Sequence, residues 1–397
     1  MLNPPTRDLS RHKPQSTGEG PVDSIPVLRP QLPSADRILA YLRRIDSARI
    51  YSNWGPLCAE FQDRICAQLM LPGGAFVVAS SGTSALMGAI LAVAGPAKSK
   101  RPVALMPAFT FVATAIAAER CGYKPCFQDI SPESWMLDPE DLEKHPLIDR
   151  VGIVIPVAPF GKPVRQRPWA AFQEKTGIPV IIDGAASFDR IMESPAEFIG
   201  TIPLALSFHA TKSFGMGEGG GIAVTDMAIS CRLEQALNFG FCGTRDSSSA
   251  SLNGKLSEYH AAVGLAELDG WSSKAAELRD LAYRYSCKLT QFDLLDRLIV
   301  TPLISSCYAL FKCSCKPEVQ RVQQSLKQAA VDFRMWYGSG VHCHNHFSHD
   351  ERGSLPMTED ILQCLIGIPV AIDLSDTEIA RVAAALARGV HTDKMPI

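Results

Sequence analysis

The segment Ser207-Phe208-His209-Ala210-Thr211-Lys212 closes an apolar run and leads into Gly215-Met216-Gly217-Glu218-Gly219-Gly220-Gly221. A lysine at the end of an apolar strand, packed by small residues, is desolvated. Desolvation disfavours the ammonium form, lowers the pKa and leaves a nucleophilic amine. Ser207 is near enough to hydrogen-bond a phosphate on the same ligand. The glycines let the backbone approach a flat molecule closely. His209 is a candidate for proton transfer, with packing as the equal alternative. Gly215, Gly217 and Gly220 also match GxGxxG. A dinucleotide site needs that turn to open a helix, and the following GIAVTD is strand-like, so that reading is rejected.

Two other segments complete a set. Ser80-Ser81-Gly82-Thr83-Ser84-Ala85-Leu86 follows one apolar run and opens a helix-like one. Free N–H groups and the helix dipole at such a point suit a phosphate, with Gly82 and Thr83 at its centre. Taken alone, an ordinary Ser/Thr helix cap is the better reading. Asp183 ends the apolar run VIID and precedes Gly184-Ala185-Ala186. A carboxylate there can keep a pyridinium nitrogen protonated, which pyridoxal phosphate needs to act as an electron sink. Alone, it reads as a helix-capping Asp. The order of phosphate turn, aspartate, then Ser-x4-Lys and glycines is more specific than any one of the three. It matches the aspartate-aminotransferase-like fold, type I, of pyridoxal-phosphate enzymes.

The elements that must position these residues are legible as alternation. FVVAS, PVALMP, GIVIPV, PVIID and LALSF are short continuous apolar runs, as expected of strands buried on both faces. TSALMGAILAVAG, TFVATAIAAERCG and WAAFQEKTG between them are helix-like. The pattern predicts an α/β fold with an open, mostly parallel sheet and ligands at the strands' carboxyl ends. A long helical stretch from LSEYHAAVG to YSCKL then leads to a smaller α+β domain. The expected organisation is a disordered tail over 1–24, a large cofactor-binding domain over 25–280 and a small C-terminal domain over 281–397.

Composition sets the outer bounds. The 397 residues are 46% hydrophobic, enough for a sizeable core, and the net charge of -2 provides no field to attract nucleic acid or anionic lipid. No run reaches the roughly 18 apolar residues of a membrane span, and the first residues lack a secretory apolar run. The 12 cysteines include no CxxC pair and read as reduced thiols of a cytoplasmic protein, Cys313 and Cys315 as packing. The segment VHCHNHFSH holds His342, Cys343, His344, His346 and His349. Alternating histidines in a strand share a face without closing a tetrahedral cage, so it is read as solvated or substrate-facing, and no metal site is expected.

From about Ile25 to Gly389 the chain resembles the DegT/DnrJ/StrS family, known mainly as nucleotide-sugar aminotransferases. The resemblance rests on Tyr51-Ser52-Asn53-Trp54-Gly55-Pro56 with Glu60-Phe61, on Ser81 to Leu86, on Pro107 to Thr114, on Ser207 to Gly220, and on Leu252-Asn253-Gly254-Lys255-Leu256-Ser257-Glu258. It implies that Lys212 forms the Schiff base with pyridoxal phosphate, that Phe111 stacks on its ring, and that Asn253 reaches the phosphate of a partner subunit in a homodimer with shared active sites. It implies an amino donor, L-glutamate, and a keto-sugar nucleotide acceptor. Two positions depart from the family: Ala186 replaces the Gln that meets the cofactor's phenolate oxygen, and Lys255 replaces Arg. One alternative is a sugar dehydratase or other non-transaminase of the same family; related sugar dehydratases carry His in place of the lysine, so Lys212 counts against that route. A cofactor-binding regulatory protein without turnover is the second alternative.

Overall fold

The computed structural model describes residues 23–299 and 307–391. The expected tail falls, up to residue 22, outside the described residues. Eight strands build the larger sheet: β1 (Phe76–Ala79), β2 (Val103–Pro107), β3 (Lys124–Gln128), β4 (Val151–Val154), β5 (Ile182–Asp183), β6 (Leu204–Ser207), β7 (Gly220–Ala223) and a short strand late in the chain, Glu351–Arg352. They form two four-stranded ladders, β1-β7-β6-β5 and β10-β3-β2-β4, where β10 is Glu351–Arg352. Parallel bridges Val154–Val180 and Val157–Asp183 join the ladders into one surface. β7 runs antiparallel to β1 and β6, and the other ladder pairings are parallel.

The five apolar runs become β1, β2, β4, β5 and β6, and their alternation shows why the runs are unbroken. Phe76 and Val78 of β1 enter one apolar cluster, and Val77 and Ala79 enter another on the opposite face. Val103 and Leu105 against Ala104 and Met106 divide β2 in the same way. With both faces covered, no position is left for a polar residue. β3 is the strand the pattern misses, because KPCFQ carries a proline and polar ends; its Cys126 and Phe127 are buried.

β8 (Leu298–Ile299), β9 (Ala309–Lys312) and β11 (Leu365–Ile368) form a small antiparallel sheet in the order β11-β9-β8. The helices Lys316–Gln328 and Asp376–Val390 share its apolar cluster, to which Ile25 also belongs. The 33-residue helix Glu258–Thr290 connects the two parts. It buries Leu265 and Trp271 in the core of the large sheet and Leu281, Tyr285 and Leu289 in that of the small one. Its first residue, Glu258, is buried and accepts hydrogen bonds from Leu57 N at 2.7 Å and Cys58 N at 2.9 Å. No helix among the described residues is long and apolar enough to cross a membrane.

The histidine segment, expected to be solvated or substrate-facing, is partly buried instead. Val341–Cys343 is a 3-10 turn, and turns continue beyond it. His342 is buried at 1% exposure, whereas His346 Nε2 lies 2.8 Å from Glu119 Oε1 at the surface. Gly340 lets the chain double back there: its φ is +96°, and a Cβ on it would stand 2.5 Å from His342 Cε1. Among the described residues no group of three His, Cys, Asp or Glu is placed to hold a metal. All the cysteines are free; Cys313 is buried and Cys315 exposed.

Candidate active site

Because the strands are parallel, β1, β2, β5 and β6 end on one side of the sheet, and a cavity of about 360 Å³ opens there. Gly82, Thr83, Phe111, Asp183, Ser207, His209 and Lys212 all line it.

The phosphate turn is built on close approach. Ser81 caps the helix Gly82–Val93 through a reciprocal capping box with Ser84. The hydroxyl cap is thus real, and it leaves the N–H groups of Gly82 and Thr83 among those a helix cannot satisfy internally. A Cβ on Gly82 would stand 2.7 Å from Ser207 Cβ and 3.1 Å from its Oγ. A Cβ on Gly220 would stand 2.6 Å from the Ser81 carbonyl. Glycine at both positions brings Ser207 against the helix terminus, where hydroxyl and backbone donors converge with the dipole.

Asp183 is not a helix cap, since the next helix, Phe188–Glu193, begins only after Ser187. Its carboxylate is buried, accepting from Thr114 Oγ1 at 2.7 Å and from Ala185 N at 3.1 Å. Burial raises its pKa, opposed by these hydrogen bonds and by the charge of Lys212.

Lys212 departs from expectation. Burial does lower its pKa, but Tyr308, Cys307 and Asp183 act the other way and together outweigh it, so the free amine is held above its ordinary value. The reason is tertiary: Tyr308 immediately precedes β9 of the small sheet, and its Oη accepts from Lys212 Nζ at 2.9 Å.

Phe111 precedes the helix Val112–Arg120 and stands 63% exposed at the cavity, its ring open to a ligand. His209 sits at the rim, its Nδ1 2.9 Å from Thr211 Oγ1. Ala186 lines the wall where the family has Gln. Asn253 is not among the lining residues; it is exposed and accepts from Lys255 Nζ at 2.8 Å.

Tyr308, Arg334, Trp336 and Tyr337 also line the cavity and escaped the sequence reading. The Trp336 ring lies 5.1 Å from Tyr308, and the Arg334 guanidinium 4.9 Å over Trp336. Thr114 was within sight, as a hydroxyl on the helix that Phe111 opens, but its contact with Asp183 is not readable from spacing. The glycine cradle, the open helix terminus, the buried carboxylate and the lysine form a donor set that fits pyridoxal phosphate.

Residues 34–387 match the DegT/DnrJ/EryC1/StrS aminotransferase family. Protein Rv3402c of Mycobacterium tuberculosis is 30% identical over 381 residues, covering 93% of this chain and 91% of that one. The UDP-2-acetamido-2-deoxy-3-oxo-D-glucuronate aminotransferase of Pseudomonas aeruginosa is 28% identical, covering 84% and 90%. A solved Bacillus cereus protein, provisionally described as a PLP-dependent aminotransferase, superposes with a TM-score of 0.83 at 29% identity over 92% of this chain and all of that one. Bacillus subtilis ntda, with the cofactor PMP bound, shares the fold with a TM-score of 0.75 at 20% identity, over 89% and 81%. The chain belongs to the DegT/DnrJ/EryC1/StrS aminotransferase family, pyridoxal-phosphate enzymes of the type I fold.

Proposed function

We propose that this protein moves an amino group from L-glutamate to a keto group on a nucleotide-linked deoxysugar, using pyridoxal phosphate. The observation that carries the reading is that Lys212, Asp183 and the open N-terminus of the helix Gly82–Val93 line one cavity. The Pseudomonas aeruginosa relative, an aminotransferase of a nucleotide-linked 3-oxo sugar acid, supports the acceptor class.

Bound pyridoxal phosphate supplies an electron sink and a carrier for the amino group. Ser207 and the N–H groups of Gly82 and Thr83 hold its phosphate. Asp183 keeps a proton on the ring nitrogen through a charge-assisted hydrogen bond. Phe111 covers one face of the ring. Lys212 bonds the cofactor at rest and, once released, moves the proton at the substrate carbon. His209 stands at the entrance, within reach of the arriving acceptor. Asn253, outside its own cavity, serves the phosphate in a partner subunit of a homodimer.

Borohydride reduction followed by peptide mapping tests this. The yellow protein should carry the reduced cofactor on the Lys212 peptide, and glutamate alone should first convert its spectrum to the amine form. A label on another lysine sinks the site assignment. A spectrum unmoved by glutamate, glutamine or aspartate sinks the transaminase reading.

A further inference from the structure

Lys212 and Tyr308 reach the cavity from different parts of the molecule, the lysine from beyond β6 and the tyrosine from the start of β9. Lys212 Nζ donates to Tyr308 Oη at 2.9 Å and stands 5.2 Å from the centre of its ring. Phe160 and Trp336 pack edge-on to that ring, at 5.5 and 5.1 Å. Held between them, the phenol cannot leave the lysine without disturbing two aromatic contacts.

Transamination releases Lys212 from its carbonyl partner and then asks it to take up and return a proton. A released amine in a buried cavity needs a polar partner. We propose that Tyr308 is a catalytic residue whose hydroxyl receives the Lys212 amine each time it is released and aims it at the substrate carbon.

The step balances. As Lys212 takes the proton, the electron pair of the broken C–H bond stays with the carbon and spreads into the cofactor. The new ammonium donates a hydrogen bond to Tyr308 Oη. With pyridoxal phosphate bound, Lys212 would return that same proton to complete the transfer, and the electron pair held by the electron sink would form the new C–H bond. Lys212 is neutral again, and Tyr308 has gained and lost no proton.

The groups that face Lys212 are Tyr308 and Cys307 at the small sheet and Asp183 on β5; Tyr308 faces Lys212, Cys307 and Arg334. Burial lowers the lysine pKa, and Tyr308 is foremost among the groups that raise it. Loss of the hydroxyl therefore lets burial take effect and the value fall.

The inference rests on the transaminase reading, and its test keeps the two apart. Holoenzyme is converted by glutamate to the amine form, which frees Lys212. Acetic anhydride labelling of Lys212 is then followed against pH by peptide mass spectrometry. In Tyr308→Phe the conversion should slow about 100-fold. The pH of half-labelling should fall. Tyr308→His, which restores a polar partner, should recover part of both and stands in if the Phe variant does not fold. Trp336→Phe keeps the hydroxyl and should leave the labelling midpoint in place. A midpoint unmoved by the Tyr308 variants, or moved equally by Trp336→Phe, overturns the proposal whatever the rates do. If glutamate fails to convert even the wild type, the transaminase reading fails, and the midpoint measured on cofactor-stripped protein still decides the role of Tyr308.

Discussion

Thr114 Oγ1 donates a 2.7 Å hydrogen bond to Asp183 Oδ2, and Thr110 Oγ1 lies 2.7 Å behind it. Since Thr114 donates forward, Thr110 is the donor to Thr114. The relay stabilises the ionised carboxylate against burial, which pushes its pKa up. Thr114→Val removes that opposition, so the Asp183 pKa should rise further. The acid limb of the glutamate half-reaction should move to higher pH, and each pH unit it moves should cost about tenfold in rate on that limb. Asp183→Asn should cost at least about 100-fold, or ~2.7 kcal/mol of transition-state stabilisation. Stopped-flow spectra against pH decide it. An unmoved limb in Thr114→Val, or near wild-type rates in Asp183→Asn, would remove Asp183 from the site.

Asn253 gives a test of shared sites. Lys212→Ala and Asn253→Asp should each be nearly inactive, the second because its charge repels phosphate. Random remixing of equal amounts makes half the dimers mixed, each with one intact site of two if Asn253 acts on its partner. Activity should recover to about a quarter of wild type. If Asn253 instead serves its own subunit, every site carries one lesion and activity stays at the mutant baseline.

The thiols should divide into two classes. Burial pushes Cys121 up to about 12 and Cys126 up to about 11, and Cys58 still higher. The thiolate is the reacting form, so these are silent near neutral pH. Cys231, Cys242, Cys287, Cys315 and Cys343 are exposed. Ellman's reagent at pH 8 should titrate these five at once and reach the full 12 of the sequence only after unfolding. Rapid reaction of Cys121 or Cys126 in the native protein would contradict the packing described.

His342 should make stability pH-dependent. Neither ring nitrogen has a hydrogen-bond partner among the described residues, and Glu359 Oε1 stands 3.7 Å from Nε2. Burial, helped by the charge of Arg352, lowers its pKa from the ordinary 6.5, although Glu359 pulls the other way. A depressed value means that the unfolded chain binds the proton first. The neutral imidazole is therefore fully tolerated above pH 6.5 and costs stability progressively as the pH falls below it. His342→Leu should lose this part of the acid destabilisation, seen as a shallower fall of the melting midpoint between about pH 6.5 and 5. Equal slopes in the two proteins would rule His342 out as the source.

Local pattern was enough to place Lys212, Asp183, Ser207 and the Gly82 turn at the ends of apolar runs, where a strand must stop, and the fold brings those ends to one cavity. It was also enough for the helices Gly82–Val93 and Asp376–Val390, whose ends carry Ser caps. It failed at β3, where a proline and polar ends hide two buried residues. It failed again at 341–349, read as solvated or substrate-facing, where Gly340 instead turns His342 inward.

By itself, then, the sequence determined the α/β class, the mostly parallel sheet and the residues at the carboxyl ends of its strands. Burial on both faces and turn chemistry are short-range demands, and they leave their mark within a few residues. The tertiary structure decided the company those residues keep. Tyr308 lies 96 positions from Lys212, and Asp183 lies 69 from Thr114. No periodicity extends over such distances. Which side chains meet there depends on how the Glu258–Thr290 helix sets the small sheet against the large one, and on which groups the packing leaves facing the same buried space. The same contacts act on the proton affinity of the Lys212 amine, because burial and a neighbouring phenol pull its pKa in opposite directions.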